Sequence, residues 1–250
     1  MPAVTPKVEL LRYSPNPEEL IALAAKLCYS HADVEDLRQG VESKDQTKFI
    51  KRLMDMGHES PLEHASFTFA ISGVSRSLLA QITRHRIASF SVQSQRYVGQ
   101  RHEEGEFNYI LPPAIEALGQ EAVQKYHEQM HTMQQWYNEW VDALGNAGEK
   151  SNEDARFVLP NAAETRMLVT MNTRELAHFF NLRCCNRAQW EIRSVAWQML
   201  ELCRKVSPVL FANYGPSCLN GACPEGAKTC GLAKEVRAKS DALNASIAEE

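Results

Sequence analysis

A run of cations and hydroxyl groups between residues 84 and 97 is the part of this sequence best suited to chemistry. It contains Arg84, His85, Arg86 and Arg96, together with three serines and two glutamines. No Asp or Glu occurs between residues 64 and 102, although the whole chain carries 31 acidic residues. Guanidinium and hydroxyl groups without a local carboxylate are well suited to holding phosphate. The segment is therefore predicted to bind an anion, with a solvated basic surface as the alternative.

Arg183 is the second candidate. On a helix over 174–187, it shares one side with Leu176, Phe179 and Phe180. A guanidinium in an apolar stripe is costly to bury unless it meets an anion or a polarised carbonyl. An ion pair with Glu191 or Glu164 is one interpretation. A fixed charge aimed at negative charge that develops on a substrate is the other.

Two further segments contain side chains that can bind metals. Residues 57–64 hold two histidines and two carboxylates, but their spacing does not match a helical metal-binding pair, so capping or ligand contacts are favoured. Cys218, Cys223 and Cys230 lie in a Gly/Pro-rich stretch. Their spacing lacks the C-x2-C pattern of a zinc knuckle, so a structural zinc site stays an alternative to reduced thiols. No metal is predicted at the catalytic site.

The overall composition restricts the class of protein. The 250 residues are 44% hydrophobic and 23% charged, which is ordinary for a globular protein. The net charge of −4 argues against general nucleic-acid affinity. No segment resembles a signal peptide or reaches the roughly 18 apolar residues of a membrane span. A cytoplasmic protein with reduced cysteines, without nucleic-acid or membrane partners, is expected.

Periodicity predicts an α+β fold with a central, largely antiparallel sheet flanked by helices. A polar helical excursion is expected at about 113–148, and the charged C-terminal tail is expected to be frayed. Strands are predicted near 8–13, 64–74, 89–98 and 167–171, and helices near 17–29, 45–56, 75–86, 174–185 and 188–206.

Four segments, in order along the chain, resemble the flavin-dependent thymidylate synthases. Arg84-His85-Arg86, followed after seven residues by Ser94, matches the R-H-R-x7-S signature of that family. The other three are residues 57–64, 156–160 and 181–191, and the resemblance spans most of residues 8–214. A catalytic domain over 1–215 is expected, with 216–250 as a Cys/Gly/Pro-rich segment and charged tail rather than a separate domain.

The resemblance implies methylation of dUMP to dTMP. Methylenetetrahydrofolate would supply the methylene group, NADPH the reducing equivalents, and FAD would carry the hydride. The protein itself would position and polarise the reactants, which agrees with a sequence that has many cations and no obvious activated nucleophile. The family also implies a homotetramer with active sites shared between subunits.

The resemblance also assigns residues. Flavin contacts are expected at Ser60, Arg84, His85, Arg86, Asn172, Arg174 and His178, with Glu63, Ile87, Leu182 and Arg187 as weaker candidates. Contacts to dUMP are expected at Gln81, Arg84, Gln93, Ser94, Arg96, Arg156 and Arg183. Arg183 is the expected catalytic residue, polarising the carbonyl–imide edge of uracil. His58 and Tyr97 are expected near the folate ring.

Some positions depart from the family pattern. Val92 stands where Glu or Gln is usual, and Gln93 where Leu is common. A shift of one residue in a strand changes the face, so which of these two positions takes the usual role is left open. His178 replaces a frequent Asn, and Arg187 a frequent His. A nucleotide- or RNA-binding module and a zinc-stabilised interaction protein are the alternative functions, and the negative net charge counts against the first.

Overall fold

One four-stranded sheet, in the order β1-β2-β4-β3, runs through the computed structural model. The structure describes residues 3–102 and 105–249, without the side chain of residue 249. The strands are antiparallel, which confirms the predicted fold class. They are β1 (Lys7–Tyr13), β2 (Ser66–Ser75), β3 (Ala88–Val92) and β4 (Glu164–Asn172).

Alternating burial explains the two central strands. In β2, Phe67, Phe69 and Ile71 are buried while the residues between them are less so. On the other face, the hydroxyl groups of Thr68 and Thr170 lie 2.9 Å apart across β2 and β4. Since side chains alternate between the faces of a strand, one face packs into the core while the other carries the Thr68–Thr170 pair.

The remaining regular elements are helical. Short 3-10 helices cover Ser60–His64, Arg156–Val158, Ser217–Leu219 and Gly226–Lys228. The α-helices of the described residues are α1 (Pro17–Leu27), α2 (Val34–Glu42), α3 (Thr47–Asp55), α4 (Arg76–Ile82), α5 (Pro113–Glu116), α6 (Gln120–Ala143), α7 (Glu149–Ala155), α8 (Thr173–Arg183), α9 (Trp190–Val206), α10 (Pro208–Phe211) and α11 (Ala233–Glu249). None of these described helices is long and apolar enough to cross a membrane.

The chain divides into two compact units. Of the described residues, those within 1–7, 71–84 and 90–168 form unit 1, and those within 8–70, 85–89 and 169–250 form unit 2. In unit 1, Phe107, Tyr109, Met130 and Ala163 form one buried cluster, and Tyr137, Val141 and Ala155 form another. In unit 2, the rings of Phe67, Phe179, Phe180 and Phe211 make edge-to-face contacts.

The structure differs from the predictions in three places. Helix α2 was not predicted. Strand β3 ends at Val92 instead of continuing to residue 98. The tail forms helix α11 over the described residues, so the prediction of fraying was wrong. The buried Arg204 guanidinium donates to the carbonyl and the hydroxyl oxygen of Ser240, at 3.1 and 2.8 Å, which ties α11 to α9.

Candidate functional site

A buried chain of three polar side chains, His85, Glu175 and Arg183, is the best-defined part of the candidate site in unit 2. His85 Nδ1 lies 2.8 Å from Glu175 Oε1, and Arg183 Nε donates to His85 Nε2 at 3.0 Å. An arginine can only donate, so Nε2 is the acceptor and the proton of the neutral ring resides on Nδ1. His85 and Glu175 are 4% and 7% exposed.

Helix α8 positions two members of this chain. Its N-cap is Asn172, whose side chain accepts the backbone N–H of Glu175 at 2.9 Å. Glu175, Phe179 and Arg183 follow at four-residue intervals and so share one face of the helix. The ring of Phe179 lies 4.9 Å from that of His85. The sequence predicted that Arg183 lies on the same side of the helix as apolar residues. That position brings its guanidinium within hydrogen-bond distance of His85.

The imidazole of His85 favours its neutral form. Burial lowers the pKa of His85, and the positive charge of Arg183 and the neighbouring His178 act in the same direction. The hydrogen bond to Glu175 opposes this shift without reversing it. A neutral ring can accept the Nε–H of Arg183, whereas an imidazolium could not.

A polar cleft in unit 2, with a volume of about 670 Å³, gathers three of the predicted flavin ligands. Asn172, Arg174 and His178 all line this cleft. Arg174 is not unpaired, because it lies 3.1 Å from Glu59 and 2.5 Å from Glu63. These carboxylates raise the pKa of Arg174. The cleft therefore already holds a cation whose counter-charges come from the chain itself.

Two weaker flavin candidates, Glu63 and Ile87, also line this cleft. Other expected residues of unit 2 lie elsewhere. Ser60 and His58 line a second, mostly apolar cavity of about 870 Å³. Arg86 and Leu182 are exposed. Arg187 lies 3.2 Å from Glu225 and donates to the carbonyl oxygen of residue 228 at 2.7 Å, so the C-terminal segment holds it.

Arg96 is the most strongly paired of the expected dUMP ligands in unit 1. Its Nε lies 3.0 Å from Glu149, and Nη1 lies 3.9 Å from Glu153. Its guanidinium also lies over the Tyr97 ring at 4.6 Å. Arg101 pairs with an acid of α6 as well. The inference that the acid-free segment leaves its arginines without carboxylates was wrong for these two, because acids from α6 and α7 reach them.

Arg156 and Arg76 form a second cationic group in unit 1. Burial, together with the charge of Arg156, lowers the pKa of Arg76. Arg156 Nε donates to the carbonyl oxygen of Glu153 at 3.1 Å, and Arg76 lies 3.4 Å from Thr165 Oγ1. Within residues 3–102 and 105–249, neither guanidinium forms an ion pair with a carboxylate. Two like charges held together favour an anion between them.

Arg76 was not among the predicted ligands. Its only signal in the sequence is that it lies in the same acid-free stretch as the R-H-R motif. Of the remaining predicted ligands, Gln81 donates to the carbonyl oxygen of Ser77 at 3.2 Å, and Arg84 is exposed after the end of α4.

The turn after β3 contains a residue that the sequence analysis missed. Gln93 and Ser94 are half-buried, and Ser94 Oγ accepts the backbone N–H of Arg96 at 3.2 Å. Gln95 is only 9% exposed, and within the described residues its Nε2 has no hydrogen-bond partner. Leaving a buried donor unpaired costs about 1–3 kcal/mol, so this amide is a candidate ligand contact. The sequence gives no sign that the Gln95 amide is buried without a partner, because burial in this turn depends on the fold.

The cysteines were left open between zinc ligands and free thiols. Burial raises the pKa of the Cys218 thiol, and Cys185, Cys223 and Cys230 act in the same direction. Across the described parts of the chain, no three His, Cys, Asp or Glu side chains are arranged to hold a metal ion. The arrangement of the thiols therefore gives the zinc interpretation no support.

Known proteins of similar sequence show which family contains these residues. The profile of the family described as "Thymidylate synthase complementing protein" matches residues 9–209. The flavin-dependent thymidylate synthases of Geobacter sulfurreducens and Clostridium tetani are each 49% identical to this chain. Each match covers 92% of this chain, and 96% and 95% of those two proteins. The chain belongs to the flavin-dependent thymidylate synthase family.

A solved structure supports the same relation. The UMP/dUMP methylase PolB from Streptomyces cacaoi, bound with 5-Br dUMP, aligns with a TM-score of 0.68 at 26% identity. The alignment covers 83% of this thymidylate synthase homologue and 93% of PolB. The resemblance seen in the R-H-R motif is thus confirmed over most of the chain.

Proposed function

We propose that this chain methylates dUMP to dTMP, with methylenetetrahydrofolate as one-carbon donor and NADPH as reductant through bound FAD. The observation that carries the proposal is the hydrogen-bonded series Glu175–His85–Arg183. In it, the neutral Nε2 of the R-H-R histidine accepts a hydrogen bond from Arg183. The relatives at 49% identity are flavin-dependent enzymes, which supports the flavin. PolB is a UMP/dUMP methylase, which supports dUMP as substrate.

The donors of the cleft in unit 2 fit a flavin nucleotide. Arg174, once it exchanges Glu59 and Glu63 for phosphate oxygens, would join His178 as a donor to a pyrophosphate. The Asn172 and Asn181 amides suit a polar ring edge. A volume of about 670 Å³ lies in the usual range for cofactor sites. FAD, when bound, supplies the hydride chemistry that amino-acid side chains lack. The proposed flavin ligands are Ser60, Arg84, His85, Arg86, Asn172, Arg174 and His178.

The cations of unit 1 are proposed to hold the phosphate of dUMP. Arg156 and Arg76 supply two charges that no described carboxylate neutralises. Arg96 would exchange Glu149 and Glu153 for the phosphate oxygens. The remaining proposed dUMP ligands are Gln81, Arg84, Gln93 and Ser94, to which the structure adds Gln95.

Arg183 is proposed to direct its charge at the carbonyl–imide edge of uracil. Negative charge develops on that edge when the ring is activated, and a preoriented guanidinium stabilises it. His85 restrains Arg183 through Nε, so the charge is in position before the substrate arrives. His58 and Tyr97 are proposed neighbours of the folate ring.

The assembly and location are proposed from the family. A homotetramer with shared active sites would let arginines from one subunit serve the flavin cleft of another. The catalytic domain is proposed to cover residues 1–215, with the remaining tail outside it. The protein is proposed to act in the cytoplasm.

The function is tested with purified protein supplied with FAD, dUMP, methylenetetrahydrofolate and NADPH. We expect a flavin absorbance spectrum in near equal amount to subunits, and dTMP only when dUMP and the folate are both present. Arg183→Ala should lower kcat by about 100-fold or more, and should retain flavin better than Arg86→Ala does. Arg38→Ala, on the exposed surface of α2, is the control. Protein that rejects added FAD, or forms no dTMP, contradicts the proposal.

Shared sites are tested by mixing two inactive variants. Arg183→Ala and Arg156→Ala subunits are dissociated and reassembled together. They should regain part of the wild-type rate if each active site takes Arg183 from one subunit and Arg156 from another. The same treatment of each variant alone is the control. No recovery in a mixed tetramer, shown by tagged subunits, would place both residues in the same chain's site.

A further inference from the structure

We propose that Glu175 is a positioning residue for Arg183 and acts through His85. Its carboxylate holds the imidazole proton on Nδ1, which leaves Nε2 free to accept from Arg183. This inference rests on the proposed function, in which Arg183 faces the substrate. Glu175 is not part of the R-H-R motif and was not among the expected site residues.

The direction of both hydrogen bonds follows from the atoms. Arg183 Nε carries a hydrogen and cannot accept, so the 3.0 Å contact requires a lone pair on His85 Nε2. The neutral ring then has its hydrogen on Nδ1, 2.8 Å from Glu175 Oε1. The other tautomer would set two donors face to face at Nε2 and two acceptors face to face at Nδ1. One arrangement of protons therefore satisfies the whole chain.

Helix α8 makes this arrangement rigid. Glu175 lies in its first turn, where the helix dipole favours a carboxylate, and Arg183 is its last residue. His85 connects the two, with its ring in contact with Phe179. Because Nε is coplanar with the rest of the guanidinium, a bond at Nε orients the whole charged group. Glu175 thus sets the direction in which Arg183 presents its charge.

A structural ion pair between Glu175 and a protonated His85 is the competing interpretation. The titratable groups that face His85 are Glu175, Arg183 and His178. Burial and Arg183 both disfavour the imidazolium, and a proton on Nε2 would oppose the Nε–H of Arg183. The contact geometry fits a neutral ring whose tautomer is fixed, rather than a salt bridge.

The tautomer is measured directly by NMR of protein labelled with 15N-histidine, without any added cofactor. Wild-type His85 should give one protonated Nδ1 and one unprotonated Nε2 at about pH 7.5, well above the ordinary histidine pKa. Glu175→Gln keeps an acceptor oxygen and should keep this pattern, whereas Glu175→Leu should shift His85 toward the Nε2–H form. An Nε2–H or imidazolium signal in the wild type overturns the proposal.

Kinetics provide the second readout. Glu175→Leu should lower kcat for dTMP formation by about 100-fold, while KM for dUMP changes less than about threefold. Glu175→Gln should recover most of kcat, since it restores the acceptor without the charge. If both variants lose activity equally, or KM changes instead of kcat, positioning through His85 is overturned.

Glu164→Leu is a matched control, because Glu164 accepts hydrogen bonds from Gly73 and Asn108 in unit 1. It should lower the thermal midpoint without altering the His85 signals. Should Glu175→Leu fail to fold, the wild-type and Glu175→Gln spectra still decide the tautomer. A wild-type protein that has the expected His85 signals but forms no dTMP would contradict the proposed function and leave the hydrogen-bond chain intact.

Discussion

Two arginines expected to meet dUMP, Arg183 in unit 2 and Arg96 in unit 1, are held by opposite means. Arg183 donates to a buried neutral imidazole, whereas Arg96 is paired with a carboxylate of α7. A neutral acceptor orients a guanidinium without cancelling its charge. A carboxylate also orients it but lowers the local positive potential. The first arrangement suits a charge that must act on a reacting ring, and the second suits a ligand that is exchanged when phosphate binds.

The surroundings of the two side chains explain this difference. Arg183 ends a helix whose buried residues Leu176, Phe179 and Phe180 exclude water from one side. Arg96 lies in a turn beside Tyr97, which is 63% exposed. In the poorly hydrated surroundings of Arg183, its hydrogen bond to His85 is strong and lasting. Beside Arg96 the solvent weakens the ion pair with Glu149, so a ligand can displace that carboxylate.

The largest expected effect comes from Arg183→Lys, with Arg96→Lys as its comparison. Lysine keeps the charge but has a methylene group in place of the arginine Nε–H, so Arg183→Lys loses the hydrogen bond to His85. We expect kcat to fall by about 100-fold with little change in flavin binding. Arg96→Lys should raise KM for dUMP by less than about tenfold and leave kcat nearly unchanged. Steady-state kinetics on both variants measure these effects, and equal losses of kcat would mean that the two arginines do not differ in how they act.

The sequence predicted the members of these groups better than their partners. His85 and Arg183 lie in motifs whose residue types are set by the chemistry. Glu175 was missed, because an acid in the first turn of a helix is common for reasons of the helix dipole alone. Glu149 lies more than fifty residues from Arg96, so no local window could pair them. Motifs indicate which charges are needed, whereas the fold decides what neutralises them.

The fold repeats this pattern. The four strands and the helices around the motifs were predicted, because alternation and apolar stripes are local signals. Helix α11 was expected to be frayed, since its sequence is charged and has no strong apolar stripe. It is held instead by Arg204, whose guanidinium donates to Ser240 from 36 residues earlier in the chain. Such long-range polar contacts are not visible in local sequence.

Gln95 extends the comparison to a neutral donor in unit 1. Gln95→Leu removes a buried donor that has no described partner, so the free energy of unfolding of the ligand-free protein should stay the same or rise by about 1 kcal/mol. If Nε2 serves the nucleotide, the Kd for dUMP should rise by about tenfold. Chemical denaturation and calorimetric titration measure the two quantities.

Gln134→Leu is the matched control for this substitution. Gln134 is buried as well, but it accepts from the backbone N–H of Phe107 and donates to the carbonyl oxygen of Gln100, each at 2.8 Å. Its loss should destabilise the protein by about 2 kcal/mol, since these two backbone groups and the Asn138 amide each lose a hydrogen bond. Equal destabilisation by the two variants would mean that Gln95 has a structural partner, and would remove it from the proposed site.

The pH dependence of His85 tests whether the imidazole that accepts from Arg183 is neutral. Its pKa in the folded protein lies below the ordinary value of about 6.5, so the unfolded chain binds the proton more readily. The stability that the neutral ring contributes is therefore complete above about pH 6.5 and declines as the pH falls toward the folded-state pKa. NMR titration should find His85 still mostly neutral at about pH 6.5. A midpoint above that value would indicate that Glu175 dominates, as in an ion pair.

The smallest expected effect concerns the acids beside Arg96. Glu149→Gln together with Glu153→Gln removes the counter-charges at 3.0 and 3.9 Å, so Arg96 no longer has to exchange a carboxylate for phosphate. We expect the Kd for dUMP to fall by about two- to fivefold at low salt, and by less at high salt, because exposed pairs are weak and screened. Glu121→Gln, at the start of α6, controls for the change in net charge. A weaker affinity in the double variant would mean that the two acids orient Arg96 for the phosphate, and Arg96 would then resemble Arg183 in being held ready for its ligand.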